Sequence, residues 1–222
     1  MKNSEISSRL ASLSDGAIDI WRVGGEPDIS VLSEVERARA KEIGSEETRR
    51  AYVVARAGVR YIASQYMQKN PVDFDIQISS AGKPFFSNAE ALHFSLSHCV
   101  GYVAIAFCSE PVGFDMENRG RSVNFITLAR RFFAVEEALA VENAGGDGLA
   151  VFLELWTAKE AILKLSGTGL SGGLERALVP TPSVGLLDGR HIFLHRLAWP
   201  DSHATVASFH RPPHVREREL VF

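Results

Sequence analysis

Cysteine is scarce in this sequence of 222 residues, which contains only Cys99 and Cys108. The two lie close together on an apolar stretch without CxxC spacing, a pattern typical of reduced core thiols in a cytosolic protein. No apolar run approaches the roughly 20 residues of a membrane span. The N-terminus also lacks the continuous apolar segment of a secretory signal. Together these absences predict a cytoplasmic protein that does not enter a membrane.

An excess of positive charge is absent as well. The formal net charge is −3, which argues against a protein built around a broad grip on a nucleic-acid backbone. Apolar residues make up 45% of the chain and charged residues 23%, an ordinary globular composition. The length allows a substantial core, in one large domain or in two halves.

Hydrophobic periodicity predicts a mixed α and β chain. Apolar residues recur every three or four positions from Ser45 to Met67, which indicates a helix that stops before Asn70-Pro71. Residues 149–166 form the strongest helical pattern and end at Gly167, the C-terminal cap. Shorter helices are predicted at 125–133 and 135–143. Strands are predicted at 18–23, 74–78, 93–98, 102–107, 112–117, 191–199 and 203–209.

The order of these elements suggests a duplicated α+β unit. The three runs at 93–98, 102–107 and 112–117 have tight connections, which predicts an antiparallel meander. A long helix followed by strands occurs in each half of the chain. The sequence therefore predicts two halves, 1–110 and 111–222, with the boundary near the turn Ser109-Glu110-Pro111.

A pair of carboxylates stands on the strand Gly113-Phe-Asp-Met-Glu117. Side chains at i and i+2 of a strand share a face, so Asp115 and Glu117 point to the same side. Two carboxylates this close repel each other unless positive charge lies between them. Taken alone, the pattern fits a solvated strand face as well as a metal site.

A third carboxylate comes from the helix that contains WTAKEAILK. Trp156, Glu160 and Lys164 fall on one helical face, at i, i+4 and i+8. One interpretation is a core tryptophan with an ordinary Glu–Lys helix pair. The other brings Glu160 to the first two carboxylates, where three oxygen ligands suit Mg²⁺. Waters and the phosphate oxygens of a bound substrate would complete the shell of the ion. Lys159 and Lys164 would then face the phosphate charge that the ion does not neutralise.

Two further short patterns are weak by themselves. Ser97-His98 ends a predicted strand, and Gly82-Lys83-Pro84 lies upstream of it. A single histidine is usually structural, and Gly-Lys-Pro is usually a turn. RRFF, at 130–133, is either part of the core or an apolar surface with basic residues that steers an acidic partner.

The ordered set HFSLSH, VGFDME, WTAKEAILK and GTGL resembles the Sfp-type 4′-phosphopantetheinyl transferases. GKP and RRFF also occupy the positions expected in that family. The resemblance covers roughly residues 33 to 175. It implies an α+β fold of two similar halves packed as a pseudo-dimer, with the active site in the cleft between them. The length favours a monomer over the shorter, trimeric type of synthase.

The resemblance also implies roles for individual residues. Asp115, Glu117 and Glu160 match the metal-binding carboxylates, for Mg²⁺ or Mn²⁺, and Glu160 also matches the general base. The catalytic set is Glu160, Lys164 and His98. The residues that match coenzyme A contacts are Arg50, Lys83, Pro84, Ser97, His98, Lys159 and Lys164.

The implied reaction moves phosphopantetheine from coenzyme A to a serine of an apo carrier protein and releases 3′,5′-ADP. Carriers of fatty-acid, polyketide, peptide-synthetase and siderophore pathways are all open as partners. Two alternatives remain at this point: a Mg²⁺-dependent phosphohydrolase that uses the same carboxylates, and a non-catalytic module that binds coenzyme A or a carrier.

Overall fold

The computed structural model describes Leu13 and residues 16–99, 101–169, 173–212 and 214–222. The predicted feature GTGL ends at Leu170, which lies outside the described residues, as does most of the N-terminal segment interpreted above. The helices are α1 (Glu34–Glu42), α2 (Glu46–Met67), α3 (Phe125–Phe132), α4 (Val135–Asn143) and α5 (Gly148–Ser166). The strands are β1 (Ile18–Gly24), β2 (Ile76–Ile78), β3 (Pro84–Phe86), β4 (His93–Cys99), β5 (Tyr102–Cys108), β6 (Val112–Asn118), β7 (Ala177–Thr181), β8 (Val184–Leu187), β9 (Arg190–Leu197), β10 (Ser202–Ser208) and β11 (Val215–Val221).

The α+β fold class is confirmed, and the chain divides into two compact units. The first comprises residues 1–77, 84–110 and 212–222, and the second 78–83 and 111–211. The predicted halves, 1–110 and 111–222, differ from these units in two segments. Residues 78–83 belong to the second unit, and the C-terminal residues 212–222 return to the first.

The first unit is a four-stranded sheet covered by one long helix. The sheet has the order β11-β1-β5-β4, in which β11 lies parallel to β1 and the other pairs are antiparallel. Ser45 caps α2 by accepting a hydrogen bond from the Thr48 amide, as the sequence predicts for this helix start. The apolar stripe of α2 packs on the sheet through Val59 and Ile62, both fully buried.

A buried polar network fastens the C-terminal strand of this unit. Asp19 on β1 accepts hydrogen bonds from Arg216 at 2.5 Å and from Arg218 at 2.9 Å, both on β11. Tyr66 on α2 donates to the same carboxylate at 2.6 Å and accepts from Trp21 at 2.9 Å. Burial, followed by the Asp19 charge, raises the pKa of the Tyr66 phenol, so the phenol remains a donor.

We expect Tyr66→Phe to destabilise the protein by about 1–2 kcal/mol, because it removes a donor to Asp19 and an acceptor for Trp21. The free energy of unfolding in denaturant measures this change. Tyr61→Phe is the control: it removes a hydroxyl from the same helix and keeps the ring contact with Phe222 at 5.3 Å. An equal loss in the two variants would show that the network contributes nothing.

The second unit is a five-stranded antiparallel sheet covered by α5. Its order is β6-β10-β9-β8-β7. The predicted pairing of the last two strand runs is confirmed as β9 with β10. Phe152 and Ile162 of α5 are fully buried, and Phe133 stacks on Phe152 at 5.3 Å. Phe133 of the RRFF motif is therefore a core residue.

The predicted meander of three strands is wrong. β4 and β5 pair as expected, but β6 joins the sheet of the second unit. The reason lies at the edges of β5, where β1 pairs on one side and β4 on the other. No edge of β5 is left for β6, and the turn through Pro111 carries the chain onward to the next sheet.

No helix among the described residues has the length and the hydropathy that a membrane span needs.

Candidate functional site

Gly113 determines how closely α5 approaches β6 in the second unit. A Cβ atom at this position would overlap the backbone carbonyl of Ala161 and come within 2.9 Å of the Leu165 Cβ. The absence of a side chain therefore lets the helix backbone lie directly on the strand. Glu160 and Lys164 are neighbours of these two helical contacts in the sequence, so the close approach brings them to the strand.

The register of β6 shows which side chains face the helix. Asp115 is opposite Thr205 of β10, and Glu117 is opposite His203. The Thr205 hydroxyl lies 3.1 Å from the hydroxyl of Thr157 on α5, so this face of the sheet is the one that the helix covers. Asp115 and Glu117 therefore share the face of β6 that α5 covers, as the sequence predicts. Phe114 lies on the other face and is fully buried.

The two strand carboxylates pair with basic side chains. Asp115 is 5% exposed, and its Oδ1 accepts a hydrogen bond from the Lys164 Nζ at 2.7 Å. Glu117 pairs with Arg121, which follows β6 in the turn. The predicted set of Asp115 and Lys164 is thus brought together, whereas Arg121 was missed by sequence reasoning. Its only signal was a basic residue four positions after Glu117.

Glu160 completes a cluster of three coupled carboxylates. It is 9% exposed. Burial, together with the charge of Asp115, raises its pKa to about 7, while Lys164 opposes the shift. Burial and Asp115 also raise the pKa of Glu117, and Arg121 acts in the other direction. The three carboxylates therefore repel one another and would be stabilised by added positive charge.

The donor chemistry of this cluster fits a hard divalent cation. Carboxylate oxygens are the protein ligands that Mg²⁺ prefers, and repelling carboxylates become stable when a cation lies between them. Within the ranges described above, no group of three or more His, Cys, Asp and Glu side chains is arranged to hold a metal ion. Asp115 and Glu117 have Lys164 and Arg121 as their positive partners instead.

Lys159 requires a correction, because it does not face the carboxylate cluster. Its side chain is fully buried, with the Nζ atom 2.6 Å from Glu137 and 3.1 Å from the carbonyl of Leu174. The carbonyl of Ala177 is a further acceptor. A helical neighbour of Glu160 points about 100° away from it around the helix. Lys159 therefore holds α4 and the segment before β7 against α5.

Lys83 binds the end of the same helix. Its Nζ donates to the carbonyl of Val112 at 3.2 Å and to that of Leu165 at 3.4 Å. Burial lowers the pKa of the Lys83 ammonium to about 8. Pro84, the first residue of β3, is half-buried. Lys83 thus fixes the C-terminal turn of α5 beside β6, and this structural role is separate from the predicted contact with coenzyme A.

The remaining predicted residues belong to the first unit. Ser97 is buried on β4, and His98 is exposed near the end of that strand. Arg50 is exposed on α2 and lines a pocket with Cys99. Arg50 also lines a second, wider pocket together with three more basic side chains, those of Arg37, Lys41 and Arg49, and two acidic ones, those of Glu26 and Glu46. The spacing of Arg37 and Lys41 on α1, at i and i+4, could have indicated it.

Comparison with known proteins identifies the family to which the region around the carboxylate cluster is similar. Residues 111–212 match the model of the 4′-phosphopantetheinyl transferase superfamily. The chain is 30% identical to the 4′-phosphopantetheinyl transferase HetI of Nostoc sp., in an alignment 189 positions long that covers 78% of each chain.

Two other relatives are similar over shorter stretches. A putative 4′-phosphopantetheinyl transferase of Synechocystis sp. is 29% identical over 67% of this chain and 62% of its own length. Sfp of Bacillus subtilis is 27% identical over 66% of this chain and 65% of its own. The chain thus spans slightly under two thirds of these two relatives. The alignment with HetI, the family model and the carboxylate cluster agree, and the chain belongs to the 4′-phosphopantetheinyl transferase superfamily.

Proposed function

We propose that this protein transfers the 4′-phosphopantetheine group of coenzyme A to a serine hydroxyl of an apo carrier protein. The observation that carries the proposal is the carboxylate cluster of Asp115, Glu117 and Glu160 beside Lys164, inside the region that matches the family. The relatives described above carry this activity in their names.

In this proposal Asp115, Glu117 and Glu160 hold Mg²⁺, or Mn²⁺ in its place. The ion would neutralise the pyrophosphate of coenzyme A and so make the phosphorus open to attack. Lys164 adds positive charge from its position beside Asp115, 2.7 Å away. Charge placed in this way before the reaction is the main means by which phosphoryl transfer is accelerated.

The proton and the leaving group are handled by residues of this chain. The serine oxygen forms a bond to the β-phosphorus, and the bond from that phosphorus to the bridging oxygen of the pyrophosphate breaks. The electron pair of the broken bond leaves with 3′,5′-ADP. Glu160 accepts the serine proton, directly or through a water, as the general base of the reaction.

The nucleotide end of coenzyme A is assigned to basic and polar residues of the first unit, with one part of the second. Arg50, Ser97 and His98 are the proposed contacts for the phosphates, and His98 also supports the leaving group. Lys83 and Pro84 are the proposed contacts for the adenine. The pocket lined by Arg37, Lys41, Arg49 and Arg50 keeps a positive excess over its two acidic side chains, Glu26 and Glu46, and this excess supports an anionic ligand on this unit.

The carrier partner is proposed to dock beside α3 and α4. Arg131 is exposed there, as are Val135 and Leu139. A surface that combines apolar area with positive charge fits an acidic folded domain. We place the reaction in the cytoplasm, where a protein whose described cysteines, Cys99 and Cys108, form no disulfide is at home, and we propose that the protein acts as a monomer.

Mass spectrometry of the carrier tests this function. The protein is incubated with coenzyme A, Mg²⁺ and an apo carrier domain, and the carrier is weighed. We expect a gain of one phosphopantetheine that depends on Mg²⁺ and on the carrier serine. Release of inorganic phosphate without any gain would favour the phosphohydrolase. Binding of coenzyme A without either product, across several unrelated carriers, would favour a non-catalytic module.

A further inference from the structure

The turn after β6 presents two arginines that have different surroundings. Arg119 is anchored: its guanidinium donates to the carbonyl of Trp199 at 3.1 Å and lies 3.2 Å from His203 Nε2. Arg121 extends to the carboxylate cluster, where it pairs with Glu117. The turn itself is tight, since the Arg121 amide donates to the Asn118 carbonyl at 3.1 Å. One arginine therefore holds the turn while the other reaches the candidate site.

The second contact of Arg121 is an aromatic ring. Its guanidinium carbon lies 5.7 Å from the centroid of Trp156, one helical turn before Glu160. Trp156 is itself packed between Phe132, Phe133 and Phe152, at centroid distances of 5.5 to 6.4 Å. The ring is thus a fixed platform. Arg121 therefore has a contact on α5 that does not depend on Glu117.

Charge balance gives this arrangement a consequence. Asp115, Glu117 and Glu160 bring three potential negative charges, and Lys164 and Arg121 bring two positive charges. A divalent cation bound to the carboxylates would turn this small negative excess into a positive one. In the proposed function Glu117, the carboxylate that pairs with Arg121, would also be a ligand of the cation. Arg121 and the cation therefore compete for Glu117, and a displaced Arg121 is left beside the site with its charge available to an anion.

We propose that Arg121 is an exchangeable counter-ion of this site. It neutralises Glu117 before the metal binds, and afterwards it stays on the Trp156 ring and binds phosphate oxygens of coenzyme A. The inference rests on the proposed function and adds a positioning and binding residue to it. A guanidinium suits the second role because its planar donors match two phosphate oxygens while its face stacks on an aromatic ring.

Two binding measurements on Arg121→Gln test the proposal without any turnover. Calorimetric titration with Mn²⁺ alone should show affinity raised about 3- to 10-fold, because the competitor for Glu117 is gone. Titration with coenzyme A at saturating Mg²⁺ should show affinity lowered by about 5-fold or more, because a phosphate donor is gone. Arg121→Lys keeps the positive charge but loses the paired planar donors of the guanidinium. Its Mn²⁺ affinity should therefore stay within about twofold of wild type, while its affinity for coenzyme A should be lower than that of wild type.

The control is Arg176→Gln, which removes an exposed arginine paired with Asp188 in the same unit. It should change neither affinity. Unchanged Mn²⁺ and coenzyme A affinities in Arg121→Gln, with a wild-type protein that binds both, would overturn this inference and leave the proposed function standing. A wild-type protein that binds neither would overturn both. Thermal unfolding of Arg121→Gln within a few degrees of wild type shows that the affinities belong to the folded protein.

Discussion

Replacing Glu160 by glutamine is expected to abolish phosphopantetheine transfer and, at the same time, to stabilise the metal-free protein at pH 8. The first effect follows from the proposed function, in which Glu160 is both a metal ligand and the base for the serine proton. A general base alone contributes about 10²- to 10⁴-fold. We therefore expect the rate of transfer to fall by about 10³-fold or more, measured by mass spectrometry of the carrier.

The second effect follows from the cost of ionising a buried carboxylate. Burial and the Asp115 charge raise the pKa of Glu160 from 4.5 to about 7 in the folded protein. Between these values the folded state holds a proton that the unfolded state has lost, so wild-type stability falls as pH rises through about 7. The glutamine variant has no such proton. At pH 8 it should be more stable by on the order of 2–3 kcal/mol, and at pH 5 by much less.

Unfolding in denaturant with EDTA at pH 5 and pH 8 separates this effect from a general change in packing. Glu175→Gln provides the matched control, since it makes the same chemical change at an exposed site of the same unit. It should leave transfer and stability close to wild type. A glutamine variant at position 160 that kept its activity would remove Glu160 from the site. A stability gain over wild type that was smaller at pH 8 than at pH 5 would contradict the raised pKa of Glu160.

Much of the fold could be predicted because its signals are local. The stripe on α2 and the pattern of α5 repeat every three to four residues over five turns or more. α2 begins after the capping residue Ser45, and α5 ends at the capping residue Gly167. The strands β4, β5 and β6 were found for a similar reason, since alternation or a short apolar run between turns is visible in sequence. Whether a segment forms a helix or a strand is decided largely by residues close to it in the sequence.

Pairing partners could not be predicted in the same way. The partner of β6 is β10, which begins 84 residues after Asn118 at Ser202. The partner of β1 on one side is β11, a charged strand whose two arginines are satisfied by the buried Asp19. Neither partnership leaves a local signal, because each is decided by which edges other strands leave open. The meander prediction failed for this reason.

The candidate site shows the same division. Asp115, Glu117, Glu160 and Lys164 could be selected because strand and helix periods place them on single faces. Lys159 was selected with them. Successive side chains of a helix differ in direction by about 100°, however, so Lys159 points away from Glu160 and into the core. Arg121 was missed because its contact depends on the conformation of a turn. Faces of regular elements can be inferred from sequence, while turns and the inner side of a helix depend on tertiary contacts.

Gly113→Ala is expected to destabilise the protein by about 3 kcal/mol or more, and Gly113→Val to prevent folding of the second unit. The added Cβ would overlap the carbonyl of Ala161 and would lie 2.5 Å from the backbone nitrogen of Leu165. Both are backbone atoms of α5, so relief requires movement of the whole helix. Overpacking of a core costs about 1–3 kcal/mol when side chains can adjust, and more when they cannot.

The same displacement would also separate Lys164 from Asp115, because the helix that carries Lys164 is the element forced outward. We therefore expect any folded fraction of Gly113→Ala to lose Mn²⁺ affinity as well as stability, measured by calorimetry and by unfolding in denaturant. Gly146→Ala is the matched control, since a Cβ there meets no atom within 4 Å and needs no unusual backbone angle. It should stay within about 0.5 kcal/mol of wild type. A Gly113→Ala protein as stable as this control would show that α5 does not depend on the glycine for its approach to β6.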